Sequence, residues 1–420
     1  MFNYWNPKYQ TSGSHTNHLR SFHINFGPQH PASHGVLRIV LQLRGELIER
    51  VDTHIGLLHR GTEKLTESKP YLLSLPYFDR LDYTSILIQE HAYCLAIENL
   101  LGSHNYLSDF AKIRMLFDEL TRILNHLIAL STHSMDVGSM SIFFWAFEER
   151  ERIMEFYERV SGARMHAAFY RPNEHSINYI TTGLLKDIIF FCKDLFKRLI
   201  QIESKLSSTS IWKNRLCNVG ILTPKFVYRW GASGVLARSA GLKRDIRLSQ
   251  AETYGAYYYL NIRSFLGATG DCYDRFLIRM REMAESIHII LQIINDWSNI
   301  DIIAYTDVFL NMYARKHRSF KKQHNSSWCT GMEELINHFK HFSESYYIPK
   351  GLTYRSVESA KGEFGVLLLA DGSNKPYRCR IRSPAYMHTQ LFAPMSQGHY
   401  FADLITIIGS QDIVMGEVDR

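Results

Sequence analysis

Leu37, Ile39, Leu41 and Leu43 alternate with Arg38, Val40, Gln42 and Arg44, and Gly45-Glu46 separates this run from a second one that reaches about His54. A period of two bounded by a turn predicts a half-buried hairpin. From about Asp82 the period lengthens to that of a helix, which runs to Leu101 and stops at Gly102. A second helix begins at Ser108-Asp109. Its residues Phe110, Ile113, Leu116, Phe117, Leu120, Ile123, Leu124, Leu127 and Ile128 form a broad apolar stripe, with Arg114, Asp118 and Arg122 opposite. A third helix covers about Phe143 to Val160, and a fourth covers Leu185 to Leu206 with Ile189, Cys192, Phe196, Leu199 and Ile202 inward. The fifth carries Phe276, Met280, Met283, Ile287, Ile290 and Ile294 at alternating steps of four and three, the spacing of a packed helical seam. A shorter helix follows near Glu333 to Tyr346. Phe364–Ala370 and Tyr377–Arg382 then flank Asp371-Gly-Ser-Asn374 as a second hairpin.

These elements predict an α+β fold, a central helical bundle with small antiparallel β-sheets contributed by the N- and C-terminal regions. The expected divisions are an extension over 1–21, a hairpin region over 22–70, the bundle over 71–350 and a closing segment over 351–420. At 420 residues the chain exceeds the size at which a single core usually stops growing. A formal charge of +7 permits anionic partners without establishing any. The densest basic run, Arg315-Lys-His-Arg-Ser-Phe-Lys-Lys322, reads as a solvated or subunit-facing loop rather than a nucleic-acid patch. No apolar run approaches the roughly 18 residues that span a bilayer, so the chain is expected to be extrinsic to the membrane. The six cysteines, Cys94, Cys192, Cys217, Cys272, Cys329 and Cys379, include no Cys-x-x-Cys pair. The expectation is that this chain ligates no metal alone.

The densest chemistry lies in Gly27-Pro-Gln-His-Pro-Ala-Ser-His-Gly-Val-Leu-Arg38. Gly27, Pro28, Pro31 and Gly35 restrict the backbone, so His30 and His34 are presented on a loop with little freedom to lose. Read alone, the loop is equally a polar turn whose histidines bond backbone. This segment, with His54-Ile-Gly-Leu-Leu-His-Arg-Gly-Thr-Glu-Lys64, Leu75-Pro-Tyr-Phe-Asp-Arg-Leu-Asp-Tyr83, Phe143-Phe-Trp-Ala-Phe-Glu-Glu-Arg-Glu151, Arg159-Val-Ser-Gly-Ala-Arg-Met-His166 and Asp412-Ile-Val-Met-Gly-Glu-Val-Asp-Arg420, resembles the 49-kDa, quinone-site subunit family of respiratory complex I. The matches run in order over about residues 22 to 420.

The resemblance implies a core subunit of the proton-pumping NADH:ubiquinone oxidoreductase, active only in the assembled complex. Ubiquinone is then the substrate, and a 4Fe-4S cluster sits in an adjacent PSST-type small subunit; other hydrophilic-arm and membrane-arm subunits are further partners, with no nucleic acid. The implied location is the matrix side of the mitochondrial inner membrane, or the cytoplasmic side of a bacterial one. The family is related to nickel-iron hydrogenase large subunits, whose metal is held by two Cys-x-x-Cys pairs. Here Asp82 and Ser85 stand at the first pair, and Val414 and Glu417 at the second, so thiolate binding of nickel is excluded on ligand chemistry. A metal-free hydrogenase-like scaffold in another membrane-bound oxidoreductase is the alternative.

Residue roles carry over in the same way. Tyr83 and His34 suit the donors to the two quinone oxygens, and Asp136 suits the carboxylate that supports a charged His34. His30, Met140 and Val414 match the cavity wall. Arg60, Arg80 and His166 match basic positions beside the partner's cluster, with surface pairing to Glu63, Glu149 or Glu151 as their bland alternative. After Arg171-Pro172 the family usually has glycines, whereas Asn173-Glu-His-Ser follows here.

Overall fold

A computed structural model describes residues 21–30, 35–102, 108–172, 180–249, 257–298, 332–345 and 347–420. β1 (Ser21–Phe26), β2 (Arg38–Arg44) and β3 (Leu47–His54) form an antiparallel sheet in that order, with Ile24 opposite Leu41 and Leu41 opposite Val51. The alternation predicts β2 and β3. It leaves out β1, whose Phe22, Ile24 and Phe26 are too few to stand out beside a loop.

The bundle follows as α1 (Thr62–Ser68), α2 (Tyr71–Asp79), α3 (Ile86–Leu101), α4 (Ser108–Val137), α5 (Met140–Ser161) and α6 (Thr182–Ser208). Four short helices come next, α7 (Ser210–Leu216), α8 (Pro224–Trp230), α9 (Val235–Ser239) and α10 (Ile246–Ser249), then α11 (Cys272–Ser298) and α12 (Met332–Glu344). β4 (Gly351–Glu358), β5 (Glu363–Ala370) and β6 (Pro376–Arg382) make the second antiparallel sheet, and α13 (Pro384–Ser396), α14 (Phe401–Gln411) and α15 (Met415–Asp419) close the chain. The architecture is α+β, as the patterning predicts. The basic run 315–322 and the loop 173–179 lie outside the described residues.

Two helix starts and one inward-facing position differ from expectation for local reasons. Residues 82–85 form a turn rather than the start of α3, because the Asp82 carboxylate accepts the Thr84 N–H (3.2 Å) and the Asp82 carbonyl accepts the Ser85 N–H (3.1 Å). Such a side-chain bond competes with helix formation. α6 starts three residues earlier than predicted, where Thr181 Oγ1 accepts the Leu184 N–H at 3.2 Å as an N-cap. Phe196, expected inward, is 47% exposed, because the buried stripe of α6 runs through Leu184, Ile188, Phe191, Leu195 and Leu199.

α4 is the axis of the bundle and packs against α3, α5, α11 and α14. Its predicted stripe is buried from Ile113 to Leu127, and its polar face is buried too. Arg114 pairs with Glu98 (2.6 Å), Asp118 with His91 (2.5 Å) and Arg122 with Glu119 (3.2 Å). The ion pairs continue inward: Arg247 meets Glu119 (3.2 Å) and Asp245 (2.8 Å), and Arg238 meets Glu282 and Glu358, both at 2.8 Å. Buried ions are tolerated only where several partners replace water, and each of these arginines has them.

The two sheets frame this interior from opposite ends of the sequence. Residues 398–401 lie along β3, with the Ile48 N–H donating to His399 O (3.0 Å) and the Gly398 N–H to Ile48 O (2.9 Å). The tip between β4 and β5 enters the bundle at Gly234, where a Cβ would fall 2.5 Å from the Gly362 Cα. Only glycines fit that approach, and it delivers Lys361 to the core.

Candidate functional site

The turn 80–85 is held between the end of α2 and the start of α3, and Asp82 within it is fully buried. An isolated carboxylate there would be costly. Lys361, also fully buried, answers it: its Nζ lies 3.0 Å from Asp82, donates to Thr84 Oγ1 (2.7 Å) and to Asn125 Oδ1, and stands 3.6 Å from Asp412. Asn125 Nδ2 in turn donates to Asp412 at 2.8 Å. One ammonium thus joins the turn, α4 and the residue that follows α14.

The turn also touches the C-terminal segment directly, since a Cβ on Gly416 would meet Leu81 O at 2.6 Å. The turn and the C-terminal segment are therefore adjacent. Glu417 is buried with them, and burial first, then the charge of Asp82, pushes its carboxyl well above the ordinary range.

Tyr83 emerges from this turn 36% exposed. Burial and the neighbouring Asp82 charge raise its hydroxyl above the usual phenol value, with Lys361 opposing. Tyr83 is thus a hydrogen-bond donor that stays protonated. Asp136 lies in the last turn of α4, where burial pushes its carboxyl up to about 6. Gly409 of α14 is the close neighbour, for a Cβ there would sit 3.3 Å from Asp136 Oδ2. Three residues, about 4.5 Å of helical rise, separate Gly409 from Asp412, so Asp136 and the Lys361 cluster address the same end of α14.

Met140, at the start of α5, is 58% exposed, whereas Val414, the N-cap of α15, is buried. His30 packs against Phe26 with ring centroids 4.3 Å apart, and Phe26 reaches Phe401 at the start of α14. His34 lies outside the described residues.

Arg60, Arg80 and His166 gather on a neighbouring face. Arg60 Nη2 donates to Arg80 O at 2.6 Å, and the His166 ring is within hydrogen-bond reach of the Asp79 backbone. Burial and the charges of Arg80 and Arg60 lower the affinity of His166 for a proton. The acids of the bland alternative are engaged elsewhere: Glu63 by Arg378 and Arg420, Glu149 by Arg152 and Arg198, and Glu151 by Arg164. A cleft of about 350 Å³ opens beside Arg60, lined by His59, Glu63, Lys64, Arg378 and Arg420.

Cys94, Cys192, Cys272 and Cys379 are buried far apart, and burial raises the Cys192 thiol to about 12, away from the thiolate form a metal needs. Cys329 lies outside the described residues. Among the described residues no three His, Cys, Asp or Glu side chains converge as a metal cage, and no helix is long and apolar enough to cross a membrane. Sequence reading did not find Lys361, Asn125 or Thr84. The available signal was a single lysine among small residues, Ser359-Ala-Lys-Gly362, at a strand end.

Comparison with known proteins accounts for nearly the whole chain. Residues 136–420 match the family described as "Respiratory-chain NADH dehydrogenase, 49 Kd subunit". The chain is 55% identical over 402 residues to the NADH-ubiquinone oxidoreductase 49 kDa subunit of Paramecium tetraurelia, covering 96% of this chain and 100% of that one. It is 51% identical over 405 residues to the subunit of the same name from Reclinomonas americana, covering 96% and 98%. With NADH dehydrogenase [ubiquinone] iron-sulfur protein 2 of Arabidopsis thaliana it shares 49% over 402 residues, covering 96% and 98%. The chain belongs to the 49-kDa subunit family of the respiratory-chain NADH dehydrogenase.

Proposed function

We propose that this chain forms, with a cluster-bearing neighbouring subunit, the site where ubiquinone is reduced and protonated in a proton-translocating NADH:ubiquinone oxidoreductase. The observation that carries this reading is Tyr83. It is a partly exposed phenol on a turn whose other side is pinned by the buried Asp82–Lys361 pair. Reduction of a quinone needs a proton donor at each carbonyl oxygen, in a cavity that otherwise accepts an apolar ring. Tyr83 orients one oxygen by a hydrogen bond without ionising. His34 gives one proton to the other oxygen, with Asp136 stabilising the imidazolium before that transfer, and the quinol's remaining proton comes from solvent, because the phenol keeps its own. His30, Met140 and Val414 form the wall.

Arg60, Arg80 and His166 are the face toward the partner's tetranuclear cluster. The chain offers no thiolate set of its own there, and cationic and hydrogen-bonding groups suit a partner's anionic cluster better than ligation would. Such groups favour the reduced cluster and raise its potential. The membrane subunits carry the proton translocation, and the chain is peripheral, on the matrix side of the mitochondrial inner membrane.

Tyr83→Phe tests the site. It removes one hydroxyl and keeps the ring, so the complex should assemble and pass electrons from NADH to artificial acceptors as before. Quinone reduction should fall about tenfold or more, the weight of a hydrogen bond lost in a desolvated site. An assembled variant that reduces short- and long-tailed quinones at the parental rate and apparent affinity would remove Tyr83 from the site.

A further inference from the structure

Asp79 ends α2 and Glu90 lies in α3, and both are buried to within 1% of complete inaccessibility. Each uses one carboxyl oxygen to hold the segment that follows α5: Ala168 N–H donates to Asp79 Oδ2 at 3.0 Å, and Tyr170 N–H to Glu90 Oε2 at 2.8 Å. The two side chains are within hydrogen-bond reach of each other, while Asp79 Oδ1 and Glu90 Oε1 meet no other donor. Two carboxylates so placed cannot both ionise at tolerable cost. A single O–H donated from one to the other satisfies both. We propose that Asp79 and Glu90 hold one proton between them and, through it, tether the 166–170 segment that carries His166.

The segment needs a tether. His166 (φ 50°) and Ala168 (φ 42°) are both left-handed, a conformation disfavoured for residues with a Cβ. Around the pair, Arg80 supplies positive charge at the end of α2, Cys94 lies on α3, Tyr157 on α5, and His166 and Tyr170 on the segment itself. Arg114 of α4 is committed to Glu98, and Asp118 of α4 accepts from the Tyr170 hydroxyl at 3.2 Å. Burial raises Asp79 to about 6; burial and then the Asp79 charge raise Glu90 well above the carboxylate range. The folded-state affinity for the proton is raised, so the tether is intact at low pH and weakens as pH rises through the pair's titration.

Hydrogen exchange of the 163–172 peptide in the intact complex tests this, from about pH 6 to about pH 10 with the intrinsic pH dependence divided out. The parent should lose protection at the alkaline end by about tenfold or more, as expected when a hydrogen bond to a charged group fails. Glu90→Gln keeps both contacts, its amide N–H donating to Asp79 and its amide oxygen accepting from Tyr170, but it has no proton to lose. Its protection should stay flat with pH. Glu90→Ala should lack protection at every pH. Parallel loss in the parent and Glu90→Gln overturns the shared proton, and parental protection in Glu90→Ala overturns the tether. If Glu90→Ala does not assemble, the comparison of parent with Glu90→Gln decides alone. That His166 is the consequential side chain on this segment rests on the quinone-site reading. Exchange at residues 168 and 170 reads the tether itself, so failure of the Tyr83→Phe test and failure here are separate results.

Discussion

At Asp136 burial alone raises the carboxyl to about 6. The folded chain therefore keeps a proton that the unfolded chain releases, and the favourable contribution is present at low pH and lost as pH rises through the folded value. Asp136→Asn removes this slope, so the variant should gain stability relative to the parent between about pH 4 and pH 6 and level off above. Thermal unfolding of the complex across that range measures it. On the proposed reading activity should move the other way: an ionised Asp136 would support a charged His34, so Asp136→Asn should slow quinone reduction above about pH 6 and converge with the parent below it. Identical pH–rate profiles would separate Asp136 from the proton transfer. Tyr83 and Asp136 stand out in the sequence because each sits inside a continuous motif. Lys361 does not, since its partners Asp82, Asn125 and Asp412 are brought to it only by folding. The small residues flanking it were the one local signal, and its counter-charges are distant in sequence.

The elements that carried a sustained period, β2–β3, α3, α4, α5, α6, α11, α12 and β5–β6, are those the sequence predicted. The short helices α7 to α10 and α15 span too few turns for a period to show, and tertiary contacts hold them. Patterning also misjudged what lies opposite an apolar stripe. Arg114, Asp118 and Arg122 look like a solvent face but point into an ionic interior shared by α3, α4 and the second sheet. Arg238 is central to it, and Arg238→Met should leave Glu282 and Glu358 without their main cation, at a cost of about 3–5 kcal/mol. Lower yield of assembled complex and a reduced melting temperature report the loss. Gly234→Ala should act at the same junction, because its Cβ would fall 2.5 Å from the Gly362 Cα and no flexible side chain can yield there. An assembled Gly234→Ala complex of parental stability would mean that the hairpin tip can retreat.

Seen over the whole molecule, Lys361 is the point at which distant parts of the chain meet: the turn after α2 through Asp82, the bundle axis through Asn125, and the C-terminal segment through Asp412. Burial alone would raise the Asp412 carboxyl, but Lys361 and Arg279 outweigh it and hold it below its ordinary value. Asp412 therefore contributes stability that is present above the unfolded carboxylate range and lost as pH falls through the lowered folded value. Removing the cation inverts this balance. Lys361→Met keeps most of the stem volume but leaves Asp82 and Asp412 facing each other in a site without water, which should cost about 3–5 kcal/mol. If the penalty is charge and not shape, Asp82→Asn added to Lys361→Met should recover part of it, although Asp82→Asn alone is destabilising. The coupling in that double-mutant cycle, read from thermal inactivation of the complex, should exceed about 1 kcal/mol with the sign of mutual rescue. Additive losses would mean that Lys361 acts as a packing stem, and that the contact between the N-terminal turn and the C-terminal segment is held by Gly416 against Leu81 instead.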